Sequence, residues 1–250
     1  LIARARAAQA IAARYTQEQL DEVATAAAWA IMEPSRNRAL AELAVKYTGL
    51  GNVPDKILKN HRKTLGLMRD LQSAKTTGVI SENAATGITE IARPVGVVAA
   101  VVPSTNPGAT PANNIINALK CGNAVILSPS PKGCSTSAKL LEYIHAELKR
   151  IGAPLDLVQM LPSPVTKDSS TELMRQADLV VVTGSRANVR AGYSSGKPAL
   201  GVGAGNVSVI VDDSANVDEA AGKIMASKID RKSTRLNSSH VALSRMPSSA

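Results

Sequence analysis

Aromatic residues are nearly missing from this chain. Phenylalanine does not occur, and Trp and Tyr make up 2% of the 250 residues. Because 44% of the residues are hydrophobic, the core has to be built from Ala, Val, Ile and Leu, which pack through helix–sheet contacts instead of rings. A chain of this length suits one large α/β domain or two small ones with a sizeable core.

Cysteine is scarce as well. Cys121 and Cys134 form neither a disulfide framework nor a metal-binding pattern, so we predict no metal site and expect a reducing, cytoplasmic compartment.

Long apolar runs are also missing. No run is long enough to span a bilayer and no secretory signal precedes the first helix, so we predict no membrane partner.

The chain is basic, with a formal net charge of +9. Residues 230–250 carry four basic residues and one acidic residue, which leaves 25 basic and 19 acidic residues in residues 1–229. No basic patch is interleaved with aromatic residues, as a nucleic-acid-binding surface would be. We therefore predict no nucleic-acid partner.

The stretch from Pro94 to Gly122 organises the rest of the chain. It opens with an apolar run over 95–102, typical of a parallel strand covered on both faces. A polar turn ending at Asn106 follows, and then a helix over 111–120 that Gly122 ends. Asn106 thus stands at the carboxyl end of a strand, where open α/β sheets bind ligands. Its side-chain amide either donates to an oxyanion or merely caps the helix.

Periodicity divides the chain into four parts. Residues 1–75 have helical spacing and form an N-terminal helical part. Residues 76–93 alternate with period two around Asn83-Ala84, which predicts a protruding β-hairpin suited to pairing with another subunit. Residues 94–229 alternate apolar strands with helices, which predicts α/β architecture: a Rossmann-like parallel sheet with helices on both faces. Residues 230–250 are rich in Ser and Arg without a period, and we expect a non-native or disordered tail.

Several helix boundaries can be predicted. Thr16 opens the second helix, Glu33-Pro34 ends it, and the third ends near Gly49. Ser169-x-x-Glu172 is a capping-box pattern that predicts a later helix start. The helix over 55–74 is expected to bury one apolar stripe and expose one basic face. The stripe is Ile57, Leu58, Leu65, Leu67, Met68 and Leu71, and the basic face is Lys56, Lys59, Arg62, Lys63 and Arg69.

Two further strand-to-helix turns are candidates for binding phosphate or ribose. Thr183-Gly184-Ser185 directly follows an apolar strand, and N–H groups at a helix start favour a pyrophosphate. The G-x-G-x-x-G fingerprint is missing, and a single glycine after a strand is more often ordinary turn chemistry. In Ser128-Pro129-Ser130-Pro131 the hydroxyls suit a ribose. The four glycines of residues 196–206 suit either a backbone lying against a ligand or strand-end bulges.

Five motifs then occur in one order: Pro94-Val95-Gly96-Val97, Pro103-Ser104-Thr105-Asn106-Pro107, Ala118-Leu119-Lys120-Cys121-Gly122-Asn123-Ala124, Thr183-Gly184-Ser185 and the glycine-rich block Ser194 to Asn206. Their order and spacing resemble the aldehyde dehydrogenase superfamily. More narrowly, they resemble its CoA-acylating branch, which includes acetaldehyde and sulfoacetaldehyde dehydrogenases and the aldehyde half of bifunctional aldehyde-alcohol dehydrogenases. The resemblance covers residues 15–229, and residues 193–206 are its most specific part.

The resemblance implies an oxidoreductase with a covalent mechanism. A cysteine thiolate attacks a small aldehyde, hydride passes to NAD or NADP, and coenzyme A takes the acyl group. Asn106 matches the amide of the oxyanion hole, and the parent protein is expected to be a homo-oligomer. The resemblance assigns cofactor binding to Pro103, Ser104, Thr105, Ser128, Pro129, Ser130, Pro131, Gly184, Ser185 and Gly203.

Two departures from the hydrolytic members, and one from the family as a whole, bear on activity. Ser128 replaces a Lys that reaches the ribose, and Gly201-Val202-Gly203-Ala204 replaces a motif whose Glu activates water. Loss of that general base favours a thiol acceptor over water. The family's nucleophilic Cys would follow residues 226–228, where this sequence has none, and Cys121 and Cys134 are predicted to be structural. We expect an inactive fragment; a hydrolytic aldehyde dehydrogenase and a non-catalytic dinucleotide-binding domain remain the alternatives.

Overall fold

Helices and strands follow one another in the order that the periodicity predicts, except for two strands that it did not predict, Ala199–Val202 and Val241–Leu243. The computed structural model of the chain describes residues 1–203, 209–230 and 241–243, and from residue 226 onward only their backbone. The helices are α1 Ile2–Ala12, α2 Gln17–Met32, α3 Pro34–Thr48, α4 Val53–Leu71, α5 Ala109–Lys120, α6 Cys134–Arg150, α7 Lys167–Gln176, α8 Arg186–Tyr193 and α9 Val217–Asp230. The strands are β1 Gly78–Asn83, β2 Ile88–Ala92, β3 Val97–Val102, β4 Ala124–Pro129, β5 Val158–Met160, β6 Leu179–Thr183, β7 Ala199–Val202, β8 Val209–Val211 and β9 Val241–Leu243.

Five strands form one parallel sheet in the order β5-β4-β3-β6-β7. The central strand β3 pairs with β4 from Val97↔Ala124 onward and with β6 from Val98↔Leu179 onward. The chain winds outward from β3 to β5 and then crosses back to β6, so its winding direction reverses between β3 and β6. Such a reversal opens a crevice at the carboxyl ends of the strands. The α/β, Rossmann-like prediction is confirmed.

Helices cover the two faces of this sheet unequally. Right-handed crossovers put α5 and α6 on one face, where α2 packs over both, and α7 and α8 on the other face. Helix α1 contacts β3 and β4 on the α7 side, where Arg6 donates to the carbonyl of Gln176. The largest fully buried side chains are all Leu and Ile, as the shortage of aromatics requires.

Capping groups set the first helix boundaries where the sequence predicts them. The Thr16 hydroxyl accepts from the N–H of Gln19, whose side chain accepts in return from the N–H of Thr16, which makes a capping box. The Glu33 carboxylate accepts from the first N–H groups of α3, and Pro34 occupies its first turn. Gly49 ends α3 with a φ of 66°, a conformation that glycine adopts without strain.

The predicted capping box at Ser169 is wrong by three residues. Helix α7 begins at Lys167, and Thr166 caps it by accepting from the N–H of Ser169 at 3.1 Å. The Ser169 hydroxyl accepts from the N–H of Thr166 at 3.0 Å, so a hydroxyl takes the place of the expected Glu or Gln. Ser169, at the third position of the helix, completes this capping box. The S-x-x-E pattern requires Glu at that position, so it does not identify the box.

The predicted two faces of α4 are also partly wrong. Leu58 and Leu65 are exposed, whereas Lys56, Asn60 and Thr64 are buried. Helix α4 packs against α2, α3 and α5 through this polar face. Asn60 Nδ2 donates to Asn37 Oδ1 at 2.9 Å, and such hydrogen bonds compensate for the burial of polar groups. Leu67, Met68 and Leu71 of the predicted stripe pack against the core while half-buried, so the stripe is confirmed there and wrong at Leu58 and Leu65.

The beginning of β3 is fixed by a charged cluster. Arg6 of α1 donates through both terminal nitrogens to the Asp178 carboxylate, at 2.9 and 3.0 Å, and Asp178 Oδ2 accepts from the N–H of Val97 at 2.8 Å. Burial acts to raise the pKa of Asp178, but the hydrogen bonds from Arg6 and Val97 outweigh it and lower that pKa below its ordinary value. Gly96 lies directly over this carboxylate with a φ of 122°.

Strands β1 and β2 form the predicted antiparallel hairpin, with Gly78 opposite Ala92. All of its residues but Ala92 are exposed, including Val79, Ile80, Ile88 and Ile91. The apolar side chains therefore have no core to enter within the described part of the chain.

The C-terminal region departs from the prediction at one place. Within the segment 230–250, which was expected to have no regular element, Val241–Leu243 pair in parallel with β8. Residues 231–240 and 244–250 lie outside the described residues, as do residues 204–208 of the glycine-rich block. No described helix is both long and apolar enough to cross a membrane.

Candidate functional site

The turns that follow β3, β4 and β6 meet at the carboxyl edge of the sheet around one cavity of about 1490 Å³. The crevice between β3 and β6 predicts this position. All ten residues that the sequence assigns to cofactor binding line the cavity: Pro103, Ser104, Thr105, Ser128, Pro129, Ser130, Pro131, Gly184, Ser185 and Gly203. Residues from three turns and from the end of β7 are thus brought together by the topology.

Ser128 stands at the end of β4 and is only 2% exposed. Its hydroxyl lies 2.8 Å from the Ser170 hydroxyl of α7, which also donates to the carbonyl of Thr166 at 2.8 Å. Ser128 therefore donates to Ser170 and keeps its lone pairs as acceptors. Ser130, two residues later, has a buried Oγ with no hydrogen-bond partner among the described residues. An unpaired buried hydroxyl in a cavity wall fits a site that a polar ligand completes.

The turn after β6 opens α8. The Ser185 hydroxyl caps this helix by accepting from the N–H of Asn188 at 3.3 Å. The N–H of Gly184 donates to the carbonyl of Val202 at 3.0 Å, so it belongs to the sheet edge. A phosphate at this turn would therefore meet the N–H groups that follow Gly184, where the first turn of a helix leaves them unpaired.

The glycine-rich block serves two different purposes. A Cβ at Gly201 would lie 2.7 Å from Val189 and from Tyr193, so this glycine allows α8 to pack on β7. The Tyr193 hydroxyl accepts from the N–H of Gly201 at 3.1 Å. Gly203 instead lines the cavity, and no atom in the described part of the chain lies within 4 Å of its Cβ position. Gly201 thus permits close packing, whereas Gly203, two residues later, lines the cavity.

Asn106 is half-buried at the turn between β3 and α5. The N-cap of α5 is Gly108, so the alternative in which Asn106 caps the helix is wrong. The side chain of Asn106 is not among the residues that line the cavity, although the adjacent Thr105 is. Its role in an oxyanion hole stays a prediction.

Neither cysteine lines the cavity. Cys121 ends α5, where burial raises the pKa of its thiol and the charge of Lys120 lowers it by less. Cys134 begins α6. Asp55 is the one carboxylate among the residues that line the cavity, and no group of three possible metal ligands occurs among the described residues. The described cavity therefore holds no pair of nucleophile and base.

Sequence reasoning missed one wall of the cavity. Lys59, Arg62 and Lys63 of α4, which were predicted to form a solvated face, line it beside Asp55 and Leu58. Lys167 and Met174 of α7 line it as well. The spacing of Lys59, Arg62 and Lys63 places them on one side of a helix. That signal was present in the sequence, but nothing in it says what this side faces.

Comparisons with known proteins agree with this architecture. The family model described as "Aldehyde dehydrogenase family" matches residues 1–232. A sulfoacetaldehyde dehydrogenase (acylating) from Cupriavidus necator is 66% identical over 238 residues, which cover 95% of this chain and 48% of the relative. The chain thus spans about half the length of the curated relatives it matches.

Solved structures give the same result. An acetylating aldehyde dehydrogenase from Geobacillus thermoglucosidasius matches with a TM-score of 0.85 and 38% identity, over 92% of this chain and 51% of that one. A propionaldehyde dehydrogenase from Rhodopseudomonas palustris with bound propionyl-CoA matches with a TM-score of 0.78 and 30% identity, over 92% of this chain and 50% of that one. Motifs, sheet topology and comparisons confirm the resemblance, and the chain belongs to the aldehyde dehydrogenase family.

Proposed function

We propose that this chain is the dinucleotide-binding half of an acylating aldehyde dehydrogenase. The reaction converts an aldehyde, coenzyme A and NAD⁺ or NADP⁺ to acyl-CoA and the reduced dinucleotide. One observation carries the proposal: all ten expected cofactor-binding residues line a single cavity, in a chain 66% identical to an acylating relative. A small aldehyde is the substrate class that the relatives' names support.

The cavity suits a dinucleotide through its donor set. The first N–H groups of α8 favour a pyrophosphate, and the hydroxyls of Ser128 and Ser130 suit a ribose. When bound, the nicotinamide supplies the acceptor for a hydride. Asn106 would donate its side-chain amide to the oxygen of the reacting carbonyl, and donors of this kind contribute about 3 kcal/mol in other enzymes.

Acyl transfer to a thiol is favoured over hydrolysis by the sequence of the glycine-rich block. Gly201, Val202 and Gly203 stand where a hydrolytic enzyme needs a glutamate to activate water. Asp55, the one carboxylate of the described wall, lies on α4 at a different edge of the cavity. Without a general base for water, an acyl-thioester persists until another thiol attacks it.

The attacking cysteine is not supplied by the cavity, so the 250-residue chain alone is expected to bind dinucleotide without turnover. Binding of NAD⁺ and NADP⁺ by the purified chain tests the first half of the proposal. We expect Ser130→Asp to weaken binding about 10-fold, because a carboxylate in the cavity repels phosphate. Ser73→Asp, an exposed residue outside the cavity, is the matched control and should bind normally.

A chimera tests the reaction itself. Residues 1–229 would be joined to the C-terminal half of the Cupriavidus necator relative and supplied with aldehyde, coenzyme A and dinucleotide. We expect acyl-CoA as the product. Free acid as the main product would favour the hydrolytic alternative, and a chain that binds no dinucleotide would overturn the proposal. Turnover by the unmodified chain would overturn the assignment of the missing nucleophile.

The exposed hairpin β1–β2 is proposed to pair with another subunit in a homo-oligomer. Four apolar side chains, Val79, Ile80, Ile88 and Ile91, are exposed on it. Exposed apolar side chains on a two-stranded sheet are typical of an interaction surface. The cytoplasm remains the expected compartment, because Cys121 and Cys134 are free thiols.

A further inference from the structure

Helix α4 brings a concentration of positive charge to the cavity. Lys59, Arg62 and Lys63 all line it, together with Asp55, the one carboxylate that the described residues contribute to the lining. This wall therefore carries three positive charges and one negative charge. No ion pair between described residues involves Arg62 or Lys63, whose side chains are exposed. The net field at this wall attracts anions.

The buried polar side of α4 fixes where the positive charge of Lys59, Arg62 and Lys63 lies. Asn60, in the turn between Lys59 and Lys63, is buried and hydrogen-bonded to Asn37. Its Oδ1 is 3.4 Å from the Cβ position of Gly108, two residues after Asn106. The basic side chains thus stand beside the β3–α5 turn. The α8 turn and Ser128 follow other strands of the same edge.

We propose that Arg62 and Lys63, with Lys59, form a subsite for the anionic group of the substrate, a sulfonate or carboxylate carried by a short aldehyde. The assignment to an aldehyde rests on the proposed function, because the reacting carbonyl is placed at the Asn106 turn. A guanidinium binds two oxygens of an oxyanion at once, and an ammonium adds a point charge without a fixed direction. The name of the 66% identical relative contains such an anionic aldehyde.

A phosphate of coenzyme A or of the dinucleotide carries the same oxyanion chemistry. The position of α4 favours the substrate over a phosphate. The first N–H groups of α8 and the hydroxyls after β4 already provide a separate polar set for a nucleotide. The basic wall instead flanks the β3–α5 turn, where the reacting carbonyl is placed. The charged end of a short aldehyde bound there would lie next to this wall. An experiment can separate the two sources because small sulfonates and nucleotides are titrated independently.

The test is titration calorimetry on the purified 250-residue chain with 2-hydroxyethanesulfonate, an unreactive small sulfonate, at low ionic strength. Ethylene glycol, which replaces the sulfonate by a hydroxyl, is the uncharged comparison. We expect Arg62→Gln/Lys63→Gln to weaken sulfonate binding about 10-fold or more, since two charge-assisted contacts are removed. Arg38→Gln/Lys149→Gln removes the same charge at exposed residues outside the cavity and should change it less than about 2-fold. Arg62→Lys keeps the charge and should give an intermediate loss.

Coenzyme A and NAD⁺ are titrated in parallel into all variants. Weaker coenzyme A or NAD⁺ binding by Arg62→Gln/Lys63→Gln, with sulfonate binding unchanged, would overturn the proposal and assign this wall to a nucleotide phosphate. A wild-type chain that takes up no more sulfonate than ethylene glycol would also overturn it. Sulfonate binding without any dinucleotide binding would leave the anion subsite standing while the proposed function falls. Far-UV circular dichroism of each variant verifies that these exposed substitutions leave the fold intact.

Discussion

Similar aliphatic residues are buried at the centre of the parallel sheet and exposed at its edge. Ile126 in the interior strand β4 is fully buried, whereas Leu200 in the edge strand β7 is 60% exposed. The centre is covered by helices on both faces, and β7 is covered chiefly by the short helix α8. An apolar run therefore indicates a strand, but its contribution to stability depends on which elements cover it.

The cavity lies between these two regions, and this position explains its properties. Its floor is formed by the turns after β3 and β4, which the packed centre holds in place. Residues of α8 and Gly203, at the edge of the sheet, line another part of it. A site needs both a rigid support and an accessible opening, and the uneven coverage of the sheet provides each.

Truncation of one apolar side chain in each region tests the comparison most strongly. Ile126→Ala should lower the free energy of unfolding by about 4 kcal/mol, because it leaves a cavity among fully buried neighbours. Leu200→Ala should change it by about 0.5 kcal/mol or less, because its side chain is exposed. Urea denaturation followed by circular dichroism measures both. Equal losses would show that β7 is covered in solution, for example by a second copy of the chain.

Glycine substitutions at the two regions give the next largest difference. A Cβ at Gly96 would lie 2.3 Å from Asp178 Oδ2 at a φ of 122°, and no atom of the described residues lies within 4 Å of the Cβ position of Gly203. We expect Gly96→Ala to cost about 3 kcal/mol through the clash and the backbone strain. Gly203→Ala should cost about 0.5 kcal/mol or less. The same denaturation curves provide the measurement, and a mild Gly96→Ala would mean that Asp178 moves away freely.

Two glutamates differ in the same way between the helices on the two faces. Glu147 of α6 is 5% exposed, and its carboxylate accepts from Arg36 at 2.7 Å and from Arg150 at 2.9 Å. Burial acts to raise the pKa of Glu147, but these hydrogen bonds outweigh it and lower that pKa below 4.5. Glu172 of α7 is exposed, and hydrogen bonds from Arg175 and Gln176 lower its pKa to about 2.

Glu147→Gln should cost about 2 kcal/mol at pH 7, because it leaves Arg36 without its buried partner. Since the folded-state pKa of Glu147 lies below the ordinary 4.5, the stabilisation is complete above pH 4.5 and is lost as the pH falls through the folded value. The unfolding free energies of wild type and variant should therefore converge in acid. Glu172→Gln should change the unfolding free energy at pH 7 less than Glu147→Gln does, because water screens its exposed pair, and this smaller difference should also disappear in acid. A constant gap between wild type and Glu147→Gln from pH 7 to pH 3 would contradict the assignment.

Local patterns predicted most of the elements but not all of their orientations. Thr16, Gly49 and the run over 95–102 carry their signals within a few residues, and the structure places them as expected. Helix α4 was also found, yet its buried side is Asn60 and Thr64 instead of Leu58 and Leu65. Periodicity identifies the apolar and polar sides of a helix. It does not say which side packs against the rest of the protein.

The candidate site shows the same division. The ten cofactor-binding residues were identified because each turn carries a short motif, and the switch in strand order brings these turns to one cavity. The basic wall of α4 was missed because charged residues at helical spacing look the same whether they face solvent or a ligand. Asn106 remains a prediction, since its side chain is not among those that line the cavity.

By itself, the sequence determined the alternation of strands and helices, the aliphatic core and the motifs of the family, because each depends on neighbouring residues along the chain. Only the tertiary structure decided that α4 turns its basic side chains toward the β3–α5 turn, that Ser128 donates to Ser170, and that the N–H of Gly184 belongs to the sheet. These arrangements join residues that are distant in the chain. They arise from packing and from the pairing of buried polar groups, which no local pattern encodes.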